Sequence, residues 1–141
     1  MQVRPAQIAD ADHAIDVVRR SIQELCDLDH RGDSATLSIW LGNKTADNMR
    51  QWIAAGTVFV AVEDARITGV AAVRSDGHVL LNYVAPEARF QGASKCLMQG
   101  IEVWASGRGI KWLTLDSTAT ALRFYLSTGW TTADSPWHRG R

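Results

Sequence analysis

The sequence predicts a mixed α/β fold, a sheet with helices packed on it, and three observations carry that prediction. Apolar residues recur at helical spacing near the start, alternate from Gly56 to Val84, and return to helical spacing after Ser94. The turn signals Glu63-Asp64-Ala65-Arg66 and Ser75-Asp76-Gly77 punctuate the alternating region, as in an antiparallel meander. Between Val84 and Ser94 a strand runs through a glycine-bearing connector into a long helix.

Taken in order, Gln2 to Arg4 is a short β-prone stretch stopped by Pro5. Asp10 offers an N-cap, and Ile15, Val18, Ile22 and Leu25 predict one amphipathic helix to about Leu28, broken by Arg31-Gly32-Asp33. Leu37, Ile39 to Leu41, Met49, Trp52 and Ile53 mark two short helices with Gly42-Asn43 between them. Val58, Val60 and Val62 alternate as a strand and Ile67 to Arg74 returns as a second. His78 to Val84 is a third, which Pro86 ends because proline has no N–H for the ladder. Ala93, Cys96, Leu97, Ile101 and Trp104 face the core from a long helix closed by Gly107-Arg108-Gly109. Lys111 to Asp116 is a strand, with Trp104, Trp112 and Trp130 expected in the core; Thr118 to Ser127 is a short helix, and Gly129-Trp130 opens a last extended piece. No repeat or linker interrupts the series, so residues 1–141 are expected to form a single domain.

Composition narrows the function. The 141 residues are 46% hydrophobic and 21% charged, enough for a core without disulfides or a structural metal. Fifteen basic side chains balance fifteen acidic ones, which argues against nucleic acid or an anionic membrane as partner, since both need surplus Lys and Arg. Any anion must be gripped locally. No apolar run approaches the ~20 residues of a membrane helix, and the start has no signal-peptide pattern. Cys26 and Cys96 stand in no metal-ligand spacing and read as buried free thiols, which fits a reducing, cytoplasmic home and no metal.

The connector after Val84 is where an anion would sit. A strand entering a glycine-bearing loop that opens a helix brings unpaired N–H groups and the positive helix end to one point. Arg89, Gln91 and Lys95 surround that turn, and Gly92 lets an oxygen approach the backbone closely. The spacing matches neither a P-loop nor a Rossmann fingerprint.

Val84-Ala85-Pro86, followed by Arg89-Phe90-Gln91-Gly92-Ala93-Ser94, resembles the acyl-CoA loop of the GNAT (GCN5-related N-acetyltransferase) family, R/Q-x-x-G-x-G/A after a strand ending V-x-P. Thirty residues on, Ala121-Leu122-Arg123-Phe124-Tyr125 and Gly129-Trp130 are similar to the second signature, A-x-x-F-Y-x-x-x-G-F/W. The element order agrees along nearly the whole chain. The resemblance implies a mainly antiparallel sheet of six to seven strands flanked by helices, acetyl-CoA as cosubstrate, and transfer to a primary amine of a small molecule or peptide. Arg89 and the N–H groups of Phe90, Gln91, Gly92, Ala93 and Ser94 would then hold the pyrophosphate. Asn82 and Val84 would bond pantetheine through their main chain, and Tyr125 would be the general acid toward the leaving thiolate. Two positions depart from the pattern: Ser94 stands where Gly or Ala is usual, and Thr118 replaces a frequent Asn.

The family has no universal base. His78 occupies the position of a glutamate in histone-type members, and histidine titrates in the neutral range; Glu63 and Asp116 are rivals. On the acceptor side, Asp27, Asp29 and His30 would hold a cationic amine, with Trp40 adding a cation–π face and Trp52 a second aromatic to test. The tail looks frayed at Pro136 and beyond, which implies a missing seventh strand or a partner subunit completing that edge, hence a homodimer. A non-catalytic acyl-CoA sensor and a protein-interaction module remain the alternative functions.

Overall fold

The computed structural model of the protein describes residues 1–131 and, as backbone, residues 137–140. One sheet of six strands runs in chain order: β1 (Gln2–Pro5), β2 (Val58–Glu63), β3 (Arg66–Val73), β4 (His78–Val84), β5 (Trp112–Leu115) and β6 (Trp137–Gly140). Neighbours are antiparallel except β4 and β5, which are parallel and need a crossover; α5 (Ala93–Gly107) supplies it. Helices α1 (Ala11–Leu25), α2 (Asp27–His30), α3 (Ser34–Leu41) and α4 (Ala46–Ala54) fall between β1 and β2, and α6 (Leu122–Ser127) follows β5.

Both faces of the sheet are buried. Val58, Val60, Val70, Ala72 and Leu81 pack against Val18 and Ile22 of α1 and Met49 and Ile53 of α4. Phe59, Ala61, Ala71, Val73 and Val79 point the other way, onto Leu97, Met98 and Ile101 of α5. Alternation along a strand sends successive side chains to opposite faces, and here both sets are apolar, so each needs its own helical cover.

Several boundaries differ from the expectations. The first long helix stops at Leu25, because Cys26 leaves helical geometry (φ −105°, ψ 34°), and α2 begins in a new direction. Asp10 does not cap α1 with its side chain; its carboxylate accepts from the Gln7 N–H at 2.7 Å and from Arg4 at 2.8 Å, holding the 3-10 turn Ile8–Asp10 on β1. Cys26 is buried as expected, but Cys96 is only half-buried. Trp112 is 57% exposed rather than core, on the short β5. Residues 137–140, expected to fray, extend the sheet against β5, pairing Trp137 with Leu115 and Gly140 with Trp112. Pro136 lies outside the described residues, as does the Trp137 side chain.

Candidate active site

Strands β4 and β5 pair over two positions alone, His78 with Thr114 and Val79 with Leu115. Beyond Val79 they part, and one edge of β4 loses its neighbour. Ala85 donates its N–H to Thr68 O at 2.8 Å, on the β3 side. Alternate residues of an antiparallel strand bond the same neighbour. Tyr83 therefore also bonds β3, whereas Asn82 and Val84 turn their backbone groups toward the gap. A cleft of about 420 Å³ opens there.

The cleft's electropositive end is built by the loop between β4 and α5. Pro86–Ala88 forms a 3-10 turn, Phe90 (φ 67°) and Gly92 (φ 88°) adopt left-handed backbone, and α5 starts at Ala93. A Cβ on Gly92 would meet no atom within 4 Å, so the space above it is open for a ligand. The first N–H groups of α5 have no intrahelical acceptor, and the helix dipole adds positive potential. Gln91 is the exception to the expected cradle: its N–H donates to Ala88 O at 3.3 Å and closes a turn. Arg89 and Lys95 line the same mouth.

At the other end stands Tyr125, 5% exposed, its ring edge-on to Trp130. Asn82 Nδ2 donates to Tyr125 Oη at 3.0 Å, which leaves the phenolic hydrogen free to point into the cleft. Burial pushes the phenol up to about 12, with the Asn82 bond opposing the rise. The motif resemblance implies a main-chain role for Asn82, whereas this side-chain contact reaches across 43 residues of sequence. Asn82 Oδ1 is buried without a hydrogen-bond partner among the described residues.

The acceptor-side wall comes from α1. Ser21, Leu25 and Cys26 line the cleft opposite Thr118 and Tyr125. Burial first, then Asp29 and Asp27, push the Cys26 thiol up to about 12. Tyr83 also lines the cleft; burial raises its phenol, and a hydrogen bond from Trp40 opposes that. Trp40 thus lies behind Tyr83, edge-on to His30 at 6.4 Å, and is half-buried in the core together with Trp52.

Two expected amine ligands have their polar atoms engaged within the fold. Asp29 accepts from the N–H of Ala119 at 2.7 Å and from the hydroxyl of Thr120 at 2.7 Å, tying α2 to the turn before α6. His30 is buried, with Nδ1 accepting from Gly32 N–H at 2.9 Å and Nε2 3.0 Å from Ile22 O. His30 thus closes the break after α1, and Asp29 fastens α2 to the turn before α6. Replacing Asp29 with Ala is expected to cost about 1–2 kcal/mol, measured by denaturant unfolding, because two backbone N–H groups and a hydroxyl lose a charged acceptor.

His78 lies at the closed end of the gap. Its Nδ1 is 2.7 Å from Thr114 Oγ1 and its Nε2 3.6 Å from Asp116 Oδ2. It stands roughly 13 Å before Asn82 along β4, at ~3.3 Å per residue. Asp116, by contrast, lines a hollow of about 40 Å³ together with Asn82 and Tyr125. Among the described residues no cluster of three His, Cys, Asp or Glu side chains could hold a metal, and no helix is long and apolar enough to cross a membrane.

A parted parallel pair, an anion cradle and a buried tyrosine in one cleft coincide with a family match. The model of the acetyltransferase (GNAT) domain matches residues 32–140. The chain belongs to the GNAT acetyltransferase family. The match runs from before α3 through β6, so it takes in the whole loop and Tyr125 of this GNAT domain. A GCN5-related N-acetyltransferase from Rhodopseudomonas palustris superimposes with a TM-score of 0.86 at 18% identity, covering 99% of this chain and 95% of that one. PaiA N-acetyltransferase from Thermoplasma acidophilum, in complex with coenzyme A, gives 0.83 at 17% identity, covering 99% and 98%. Ribosomal-protein-alanine N-acetyltransferase from Brucella melitensis gives 0.71 at 21%, covering 94% and 86%. No curated protein matches the sequence.

Proposed function

We propose that this GNAT domain moves an acetyl group from acetyl-CoA directly to a primary amine of a small molecule or peptide, without a covalent enzyme intermediate. The observation that carries the reading is the cleft itself. One continuous space joins the freed edge of β4, the loop that opens α5 and the Tyr125 ring. An extended amide chain fits the outward backbone groups of Asn82 and Val84 as an added strand. A pyrophosphate fits the open space over Gly92, with Arg89 and Lys95 beside it. The coenzyme A complex of the Thermoplasma acidophilum relative supports that choice of ligand.

The amine nitrogen attacks the thioester carbonyl, a C–N bond forms, the C–S bond breaks, and the amine gives up a proton. Tyr125 offers its hydroxyl hydrogen to the sulfur as negative charge builds there. Cys26 stays a thiol, because its proton is held to about pH 12, and so is no acyl carrier. The amine proton leaves through Asp116, with His78 behind it.

Thiol release from acetyl-CoA across a panel of amines, amino acids and peptides tests the reading; release with no member of the panel would overturn it. His78→Ala and Asp116→Asn are each expected to lower kcat/KM about 10-fold. An unchanged kcat/KM in both variants would remove the proton route and leave the transfer reading standing.

A further inference from the structure

We infer that Phe90 is a positioning residue, whose ring holds the Arg89 guanidinium ready for a phosphate of the cofactor. The inference rests on the acyl-CoA reading and concerns the Phe90 side chain, beyond its backbone N–H.

Phe90 breaks two local rules at once. It takes a left-handed backbone (φ 67°), which costs any residue with a Cβ, and its side chain is 89% exposed, so no burial offsets that cost. The other non-glycine residues with positive φ lie in ordinary places: Arg31 ends α2, and Asp64 and Ala65 turn the β2–β3 hairpin. Phe90 belongs to neither kind of turn. What its conformation secures is a contact: the Arg89 guanidinium carbon stands 4.5 Å from the centroid of the phenyl ring.

Arg4, Arg20, Arg50, Arg66 and Arg74 each meet a carboxylate, whereas Arg89, like Arg108 over the Trp104 ring at 4.9 Å, lies over an aromatic face with no carboxylate pair among the described residues. Of these two, Arg89 is the one that lines the cleft. Stacking on an aromatic face restrains the guanidinium without using its edge donors, so they remain available for an anion in the plane. Arg89 and Phe90 both line the cleft mouth where α5 begins, with Lys95 and the open space above Gly92. A flexible arginine is thereby ordered before the ligand arrives, which lowers the entropy lost on binding. The phosphate partner is either the pyrophosphate or the 3′-phosphate, and the ligand set below separates them.

Titration calorimetry with CoA, dephospho-CoA and pantetheine, on wild type, Phe90→Leu, Arg89→Gln and the double variant, tests this. Phe90→Leu is expected to weaken CoA about 3- to 5-fold, Arg89→Gln about 10-fold, and the double variant no more than Arg89→Gln alone. Pantetheine affinity should not move, and Phe90→Tyr should restore CoA binding. Retention of the loss with dephospho-CoA assigns the pyrophosphate; its disappearance assigns the 3′-phosphate. Phe90→Gly should raise the melting temperature while lowering CoA affinity, a divergence that a purely structural residue would not show. Full CoA affinity in Phe90→Leu, or strictly additive losses in the double variant, would overturn the inference. Absence of CoA binding by the wild type at millimolar ligand would instead overturn the acyl-CoA reading beneath it.

Discussion

Tyr125→Phe is expected to lower kcat on the order of 10²-fold, with little change in KM for either substrate. The size follows from what the hydroxyl offers. Its proton is held to about pH 12 because the ring is buried, whereas an ordinary thiol gives up its proton near 8.5. Complete transfer from Tyr125 to a departing thiolate would therefore run uphill by roughly 5 kcal/mol. In the proposed transfer the phenol would serve as a hydrogen-bond donor whose bond strengthens as charge reaches the sulfur, and loss of one such donor typically costs 10²- to 10³-fold. Two further results separate this role from simple packing. The wild-type rate should show no alkaline limb from Tyr125 below about pH 10, since the hydroxyl stays protonated there. The stability that Tyr125 contributes should be complete below pH 10, the phenol's value in the unfolded chain, and be lost as pH rises toward 12, while the Phe variant lacks this dependence. A Phe variant as active as wild type would remove Tyr125 from the chemistry.

The contact that aims the hydroxyl spans two elements that the chain order keeps apart. Asn82 lies on β4 and Tyr125 on α6, and a single 3.0 Å bond joins them across the cleft. The amide fixes the lone-pair side of Oη, so the hydrogen has one free direction. The same bond leaves Asn82 Oδ1 buried and unpaired among the described residues. A buried acceptor without a partner is costly, and its placement in the cleft beside Tyr125 is what a site that trades stability for orientation would show.

How much of this was legible in the sequence depended on the range of the signals. Alternation at Val58, Val60 and Val62, the hairpin turns, Pro86 after β4 and Gly92 before α5 act within a few residues, and the corresponding elements stand close to where their patterns put them. The loop and Tyr125 were legible because two short motifs mark them. The partners of Asp29 and His30 were less legible for the opposite reason. An acidic residue and a histidine near a helix end look alike whether they await a ligand or are already engaged. The partners of Asp29 lie some ninety residues onward, at Ala119 and Thr120. The break at Cys26 was hidden by an apolar period that runs smoothly through Leu25. The strand position of Trp112 predicts burial, but β5 is short and its burial pattern leaves Trp112 on the outside. His78 illustrates a subtler limit: its place on β4 follows from counting back from Val84, whereas its approach to Asp116, which lines the hollow with Asn82 and Tyr125, depends on how β5 lies beside β4.

The largest loss of stability is expected from Gly77→Ala, at the point where the cleft closes. Gly77 has a φ of 96°, and a Cβ there would lie 2.8 Å from Trp112 O and 2.9 Å from Ile110 Cγ2. The first cannot yield cheaply: it is backbone of β5, and Gly77 O also accepts the Thr114 N–H at 3.1 Å, the bond that begins the β4–β5 pairing. Left-handed strain of about 1 kcal/mol and a backbone clash of about 2 kcal/mol together predict a loss of about 3 kcal/mol, or roughly 10 °C in Tm for a chain of this size. Gly109→Ala is the control, because Gly109 is also left-handed (φ 70°) but a Cβ there would meet nothing within 4 Å. It should lose only the strain, about 1 kcal/mol. The variant also bears on function. Two paired positions set the angle at which β4 and β5 diverge, so any shift of β5 away from Gly77 is magnified at Asn82 and Val84. Folded Gly77→Ala protein should therefore bind acetyl-CoA more weakly, with a raised KM, although the substitution lies outside the cleft. Equal stability losses at Gly77 and Gly109 would show that the clash relaxes without cost, and an unchanged KM would show that the divergence of the strands is set elsewhere, by α5 and α6.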